Sequence, residues 1–270
     1  MYTIIICIFF LILLLLFPNQ VIDGSHQGLL LWYQNILPLL LPYMLITNML
    51  MAGNRLDNLH ISLKSLHRPL NIYPVVAIIL GVLCGYPMGA KLVNDLYSSR
   101  KLSSSTSKLL LPLCNNASLM FIIGYVYNSI LKKYDISLTR LATIYIASII
   151  YGLFSYVFSM SSKNNSSLSS LSYISKNNTD SLTTCISDSI NTIFNIGVII
   201  MLFSIINAIL YHISNSLTIK YLCASLEVTS GLHIIDNSIF SENIKIALIL
   251  ALTSLGGISS IFQTKIVITK

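Results

Sequence analysis

The stretch LGVLCGYPMGAKLVNDL, residues 80–96, begins like an apolar membrane helix and is then interrupted. Gly85, Pro87 and Gly89 follow one another within five residues, and Lys91 and Asp95 come directly after them. Proline removes a backbone donor from a helix, and glycine favours conformations that end one. The stretch therefore predicts a helix that breaks near Gly85.

The composition places this broken helix in a membrane protein. Of the 270 residues, 54% are hydrophobic and only 9% are charged, and the mean hydropathy is +0.77. So few charges cannot cover a soluble globule. The net charge of +7 comes from bases spread through short loops, which argues against nucleic acid as a partner and for the lipid bilayer.

Apolar runs of spanning length, or nearly so, predict an all-α integral membrane protein with about six spanning helices. The runs lie at about 2–17, 29–51, 109–131, 141–159, 189–211 and 246–264. The broken segment at about 72–90 is a seventh run. The first run has no basic residue before it and no small-residue cleavage site, so we expect a retained helix rather than a signal peptide.

The distribution of Lys and Arg predicts that the broken segment turns back instead of crossing. If the N-terminus is cytoplasmic and residues 72–97 and 222–245 are both re-entrant, eleven bases fall inside and five outside. The positive-inside rule favours that arrangement. In that arrangement the basic loop from Lys132 to Arg140 lies outside, contrary to the rule.

A break at membrane depth needs protein or a water-filled cavity around it, because an unsatisfied backbone group in lipid costs several kcal/mol. The break therefore predicts an internal site. A second interpretation is a helix crossing through small residues, since Gly81, Gly85 and Gly89 are four residues apart and would share one helical face.

The second half of the chain repeats the order of the first half: an apolar helix, an interrupted element and a helix with a polar centre. Gly85 and Asn115 are 30 residues apart, and so are Glu227 and Gly257. One unpaired span lies between the halves, so the second half is predicted to be inverted. The predicted units are an N-terminal membrane helix and loop (1–28), a first repeat (29–131), a connecting helix (132–160), a Ser/Asn-rich linker (161–187) and a second repeat (188–270).

Three polar residues in apolar surroundings are the main site candidates. Asn115 and Asn116 offer amide donors and acceptors that suit neutral polar ligands, although hydrogen bonding between helices would explain them equally well. Glu227 lies in the second break, where an ionisable group suggests a proton or cation ligand. If the break is shallow, Glu227 is instead a solvated loop residue.

Four blocks resemble the YlbJ-type sporulation integral membrane proteins, which carry a nucleoside-recognition or Gate domain. The blocks are GYPMGAK (85–91), CNNASLMFIIG (114–124), SLEVTSGL (225–232) and SLGGISSIFQ (254–263). The resemblance implies a role in sporulation and a link to nucleoside transporters and to the membrane part of a ferrous iron transporter. Such relatives usually continue into a further span after the Gly-Gly block, so we expect a second repeat that is short at its C-terminus.

The sequence thus predicts a multi-pass cell-membrane transporter of a small polar solute, nucleoside-like by the resemblance, with a coupling cation as a further ligand. The predicted substrate-binding residues are Gly85, Tyr86, Pro87, Gly89, Asn115, Asn116, Ser118, Glu227, Thr229, Ser230, Gly256, Gly257, Ser259 and Gln263. No motif for catalysis, metal or cofactor binding occurs, and the five cysteines are scattered. A homo-oligomer is compatible with the sequence. The rival hypothesis is a non-transporting scaffold for spore envelope or cortex assembly.

Overall fold

The computed structural model describes residues 2–52, 56, 72–161, 182–213 and 216–268, and these residues are helical nearly throughout, with no strand among them. The prediction of an all-α fold is confirmed. Most of the predicted Ser/Asn-rich linker, residues 162–181, lies outside the described residues. Its last six positions, 182–187, already belong to a helix.

Fourteen α-helices, numbered in chain order, cover the described residues. They are α1 Tyr2–Leu16, α2 Pro18–Leu31, α3 Leu37–Met51, α4 Ile72–Cys84, α5 Met88–Ser98, α6 Ser104–Cys114, α7 Leu119–Phe121, α8 Leu138–Leu141, α9 Ile146–Ser161, α10 Leu182–Ile213, α11 Leu217–Leu226, α12 Val228–Asp236, α13 Glu242–Leu255 and α14 Gly257–Ile268. A π-helical turn, Trp32–Ile36, joins α2 to α3, and a π-helix, Ile122–Leu131, continues α7. Short 3-10 turns follow at Lys132–Tyr134 and Ala142–Tyr145.

Four described helical segments are long and apolar enough to cross a bilayer: Pro18–Met51, Ser104–Tyr134, Leu182–Ile213 and Glu242–Ile268. Shorter apolar helices accompany them, and the chain is a multi-pass membrane protein. The first long segment starts at Pro18 rather than near residue 29, so residues 18–28, which were expected in the N-terminal loop, are helical. The hydropathy pattern missed this part because PNQVIDGSHQG is too polar to register as membrane helix.

The broken stretch folds into a helical hairpin. Its arms, α4 and α5, have 13 and 11 residues and reach about 20 and 16 Å, well short of the roughly 30 Å of hydrocarbon. The arms pack against each other, and the Lys101 ammonium lies 5.3 Å from the centre of the Tyr73 ring. Both ends of this first hairpin therefore lie at one end of the bundle.

That end also contains the end of α3. Leu50 and Met51 pack into the same apolar cluster as Tyr73, and Asn48 donates a hydrogen bond to Ser189 near the start of α10 (2.7 Å). We call it the Asn48 end. The opposite ends of these helices meet where Phe17 contacts His212 (5.7 Å between ring centroids), so α10 runs antiparallel to α2 and α3.

A second hairpin, formed by α11 and α12, begins at this opposite end. Its arms have 10 and 9 residues. The Tyr221 ring, in the first half of α11, stacks on the Phe240 ring, four residues after α12, with their centroids 5.2 Å apart. Asp236, at the end of α12, pairs with Lys133 at 2.6 Å. We call this the Asp236 end. The two hairpins thus start from opposite ends of the bundle, as an inverted repeat requires.

Close packing of glycines also contributes to the first hairpin. A Cβ on Gly81 would lie 2.5 Å from Cys114 Cβ, and one on Gly89 would overlap the Cys114 carbonyl oxygen. Gly85 has a positive φ of 64° and sits at the break itself. The glycine pattern therefore serves both a helix break and a helix crossing through small residues. Gly81 and Gly89 permit the close helix contact, and Gly85 forms the break.

Candidate functional site

Four interruptions of helix meet inside the bundle, two from each half of the chain. They are Gly85–Pro87 between α4 and α5, Asn115–Ser118 between α6 and α7, Glu227 between α11 and α12, and Gly256 between α13 and α14. The Tyr86 amide donates to the Asn116 carbonyl oxygen at 2.8 Å. A Cβ on Gly256 would lie 3.1 Å from the Tyr86 ring, and one on Gly257 3.2 Å from the Val228 nitrogen.

The first break depends on Gly85. Its φ of 64° is in the left-handed region, where a Cβ is sterically unfavourable. A Cβ there would also overlap the Ser118 nitrogen and lie 2.6 Å from the Asn116 carbonyl oxygen. The tip of the first hairpin is therefore pressed directly onto the second break.

The second break places two asparagines between helices. Asn116 is buried, donates to Ser148 Oγ at 2.9 Å and accepts from the Ala117 amide at 2.9 Å. Asn115 accepts from the Thr264 hydroxyl at 3.0 Å, which links the two halves of the chain. Both side chains thus bond neighbouring helices, one of the two roles that the sequence leaves open for them.

Glu227 forms the third break and caps α12. Its side chain is 1% exposed and accepts three hydrogen bonds, from the Thr229 amide (3.0 Å), the Thr229 hydroxyl (2.6 Å) and the Ser230 amide (2.8 Å). A carboxylate at a helix N-terminus is stabilised by exposed amides and the helix dipole. This burial excludes the solvated-loop interpretation of Glu227.

The fourth break is made by two glycines in the left-handed conformation, Gly256 (φ 74°) and Gly257 (φ 70°). Gly256 ends α13 by donating to the Leu252 carbonyl oxygen at 2.8 Å. The Ser260 hydroxyl bonds the Gly257 carbonyl oxygen at 2.8 Å within the first turn of α14. The Thr264 hydroxyl, on the same helix, donates a hydrogen bond to the Asn115 side chain of the second break at 3.0 Å.

Between these breaks lies a cavity of about 230 Å³, which we call the outer cavity. Its lining residues are Tyr86, Asn115, Asn116, Ser254, Leu255, Ser260, Ile261 and Thr264. Six of the eight can form hydrogen bonds through their side chains, and among these described residues none is charged. Such a lining suits an uncharged polar molecule.

A second, water-sized space of about 30 Å³, the inner cavity, lies next to Glu227. Its polar lining residues are Tyr86, Ser118, Glu227, Thr229 and Gln263, and the rest of its wall is apolar. Tyr86 lines both cavities. The first hairpin therefore contributes the side chain that separates the outer cavity from the buried carboxylate.

The predicted site residues divide into two groups. Seven line a cavity: Tyr86, Asn115, Asn116, Ser118, Glu227, Thr229 and Gln263. The other seven, Gly85, Pro87, Gly89, Ser230, Gly256, Gly257 and Ser259, line neither described cavity. Gly85, Gly256 and Gly257 shape the breaks, and Gly89 packs against Cys114. Ser230 accepts a hydrogen bond from Asn207 at 3.1 Å.

Sequence reasoning missed Ser254, Ser260 and Thr264, whose hydroxyls complete the outer cavity. A signal was present, since Ser260 and Thr264 are four residues apart and so share a face of α14 with the predicted Gly257. It missed Asn207 too, a polar residue inside the apolar helix α10 that bonds Ser230. A hydroxyl in a membrane helix usually bonds its own backbone, which makes this signal weak.

The fold and the site together define a multi-pass, all-α membrane protein in which four helix breaks enclose polar cavities. Among curated proteins, the chain is similar to the sporulation integral membrane protein YlbJ of Bacillus subtilis (strain 168), with 25% identity over 157 residues. The similarity covers 56% of this chain and 38% of that protein, so the chain matches well under two thirds of its relative's length. This distant relationship supports the resemblance to the YlbJ-type sporulation integral membrane proteins.

No family model matches the chain. No solved structure matches it either.

Proposed function

We propose that the chain transports a small, uncharged polar solute, nucleoside-like in its hydrogen-bonding groups, through the outer cavity, and that it acts in sporulation. The observation that carries the proposal is a polar cavity of about 230 Å³ lined by three of the helix breaks, through Tyr86, through Asn115 and Asn116, and through residues on both sides of Gly256. Discontinuous helices at the interface of inverted repeats are where transporters bind their solutes. The sporulation role is supported by the similarity to the sporulation integral membrane protein YlbJ.

The size and chemistry of the outer cavity support this class of solute. Its volume is below the roughly 300–1,000 Å³ of pockets for drug-sized ligands, so a small molecule fits better than a large one. An ionised solute would lose its hydration without gaining an opposite charge from the described lining residues, at a considerable cost in free energy. Amide and hydroxyl groups suit the hydroxyls of a sugar or the edge of a base.

The inner cavity is the place that we propose for a coupling proton or cation. Glu227 accepts three hydrogen bonds, and an ionised carboxylate has about four acceptor positions. One position therefore remains available, and Glu227 lines the inner cavity. Thr229, Ser118 and Gln263 supply further oxygen atoms around the same space.

Binding to the purified protein in lipid nanodiscs tests the transport proposal. A ligand of the native state raises the melting temperature, with about 2.7 kcal/mol of stabilisation at a hundred times its Kd. We expect a nucleoside to do so in a panel that also contains cell-wall precursors and divalent metal salts. Thr264→Val removes one cavity hydroxyl and should abolish the shift.

The matched control is Thr253→Val. Thr253 is fully buried, but its hydroxyl bonds the Ile249 carbonyl oxygen of its own helix at 2.7 Å, and the residue lines neither described cavity. The shift should survive this change. If no nucleoside or other solute in the panel raises the melting temperature, or if both valine variants behave alike, the outer cavity is not the solute site.

One observation favours a second function, the non-transporting scaffold. Asn116 and Glu227 already have partners within the chain, as expected of groups that only hold helices together. A scaffold tolerates Thr264→Val as long as the protein folds. Complementation of a sporulation defect by Thr264→Val at the wild-type protein level would therefore favour the scaffold, and failure at that level would favour transport.

A further inference from the structure

The outer cavity has an apolar mouth. Two of its lining residues, Leu255 and Ile261, are 78% and 64% exposed. Two polar lining residues of the same cavity, Asn116 and Ser260, are only 4% and 8% exposed. The cavity therefore runs from a polar interior to an apolar surface of the bundle.

The depth of this mouth identifies what lies outside it. Leu255 is the last residue of α13, fourteen residues into the 27-residue span Glu242–Ile268, so it lies about 20 Å along a span of about 40 Å. Neither end of the bundle is near. A large apolar side chain exposed at this depth faces hydrocarbon.

The surfaces beside the mouth are apolar as well. On α14, Ile258 and Phe262 are 40% and 52% exposed. On α9, Ile149 and Ile150 are exposed, and this helix supplies Ser148, the partner of the cavity residue Asn116. A molecule in the outer cavity could thus extend between α9 and α14 without meeting water.

We infer that the outer cavity opens sideways into the bilayer and that its ligand is amphipathic, with a small uncharged hydrogen-bonding head in the cavity and an apolar tail between α9 and α14. This inference rests on the proposed function and narrows its solute class. An uncharged head is required because a charge that enters through hydrocarbon carries a large desolvation cost. The tail matches the exposed apolar side chains at the mouth.

Spin-label accessibility tests the sideways opening without any ligand. The label is placed on Thr264→Cys in a Cys7→Ser background, because Cys7 is the exposed cysteine and the other four are buried. Phe262→Cys serves as the lipid reference, and Asn237→Cys, in the exposed loop after α12, serves as the aqueous reference. Molecular oxygen concentrates in hydrocarbon, whereas a hydrophilic nickel chelate stays in water.

At position 264 we expect oxygen to relax the label almost as strongly as at position 262, and the nickel chelate to have little effect. Nickel accessibility like that at position 237 would show that the cavity opens to water, and protection from both reagents would show that it is closed. Either result overturns the inference while leaving the nucleoside binding test unaffected.

A matched pair of probes tests the ligand class. Uridine and 5′-O-decanoyluridine share the same head, and methyl decanoate carries the tail alone. In nanodiscs, we expect the ester to bind more tightly than uridine by about tenfold or more, because about two buried methylene groups already contribute that much. Methyl decanoate alone should not raise the melting temperature.

Two tryptophan variants test whether the tighter binding of the ester arises at the mouth of the outer cavity. Ile261→Trp fills the mouth and should cancel the advantage of the ester, whereas Phe262→Trp, on the lipid-facing side next to it, should preserve it. Equal binding of uridine and the ester overturns the amphipathic ligand but leaves the proposed function in place. Stabilisation by neither nucleoside contradicts the proposed nucleoside-like solute and this inference together.

Discussion

Glu227 is a buried carboxylate whose three hydrogen bonds come from the first turn of α12. The sequence indicates an ionisable group at membrane depth and suggests a proton or cation ligand, which stays a prediction. What the sequence does not show is that the same carboxylate holds a helix terminus. Capping geometry depends on the φ and ψ angles at the break, and a hydropathy pattern does not predict backbone dihedral angles.

Glu227→Gln should lower the melting temperature of the protein. Either orientation of the glutamine amide directs an NH₂ group at a backbone N–H of Thr229 or Ser230, and a buried donor without an acceptor costs about 1–3 kcal/mol. The measurement is thermal unfolding in nanodiscs. Glu242→Gln, in the exposed first turn of α13, is the matched control and should change stability by no more than about 0.5 kcal/mol; an equal effect of both variants would contradict the capping role.

Gly85→Ala should reduce the amount of folded protein in the membrane. A left-handed conformation costs an alanine about 1–2 kcal/mol, and the new methyl group would overlap the backbone of the second break. Gly124→Ala is the control, because its Cβ meets the end of the flexible Leu39 side chain instead. Wild-type yield of monodisperse Gly85→Ala protein in size-exclusion chromatography would mean that the tip of the first hairpin is not packed as described.

At the element scale, the long antiparallel pair of α2–α3 with α10 shows where sequence reasoning stopped. Gly24 and Gly28 are four residues apart on α2 and both face α10, where a Cβ would lie 2.7 Å from the Cα atoms of Ile205 and Met201, respectively. This spacing is typical of close helix packing in membranes. Its polar surroundings, with Asp23 and His26 on the same helix, hid the helix from a hydropathy analysis.

Gly28→Leu should destabilise the protein by about 1–3 kcal/mol or more, because a side chain there must push apart two helix backbones. Leu29→Ile, at the neighbouring exposed position, should have almost no effect. Chemical or thermal unfolding of the two variants in the same lipid makes the comparison. Equal stability of the two variants would contradict the close contact between α2 and α10.

On the scale of the whole molecule, the breaks themselves were predictable and their surroundings were not. Gly85, Glu227 and Gly257 stand out in the sequence because glycine, proline or a charge interrupts an apolar run, and the 30-residue spacing relates the two repeats. The cavity residues Ser254, Ser260 and Thr264 were missed. Their hydroxyls line a common cavity with Tyr86 and Asn115 only because helices from both halves of the chain pack together.

The two hairpins also determine which loops share a side. The first hairpin has both ends at the Asn48 end, where Tyr73 meets Lys101, and the second has both ends at the Asp236 end, where Tyr221 meets Phe240. The positive-inside rule predicts the same arrangement from the sequence, since it puts eleven of the sixteen Lys and Arg inside. The proposed solute site depends on this inversion, since only opposed hairpins bring their tips together at mid-depth.

Cysteine labelling with a membrane-impermeant reagent tests that inversion most directly. Cysteines introduced one at a time at Ala52, Ser104 and Asn237 report the end of α3, the start of α6 and the loop after α12. The background is Cys7→Ser, in which the four remaining native cysteines are buried. We predict that positions 52 and 104 are labelled only from the cytoplasmic side and that position 237 is labelled only from outside. Labelling of positions 52 and 104 from opposite sides would make residues 72–97 a simple span, and the convergence of the four breaks would be contradicted.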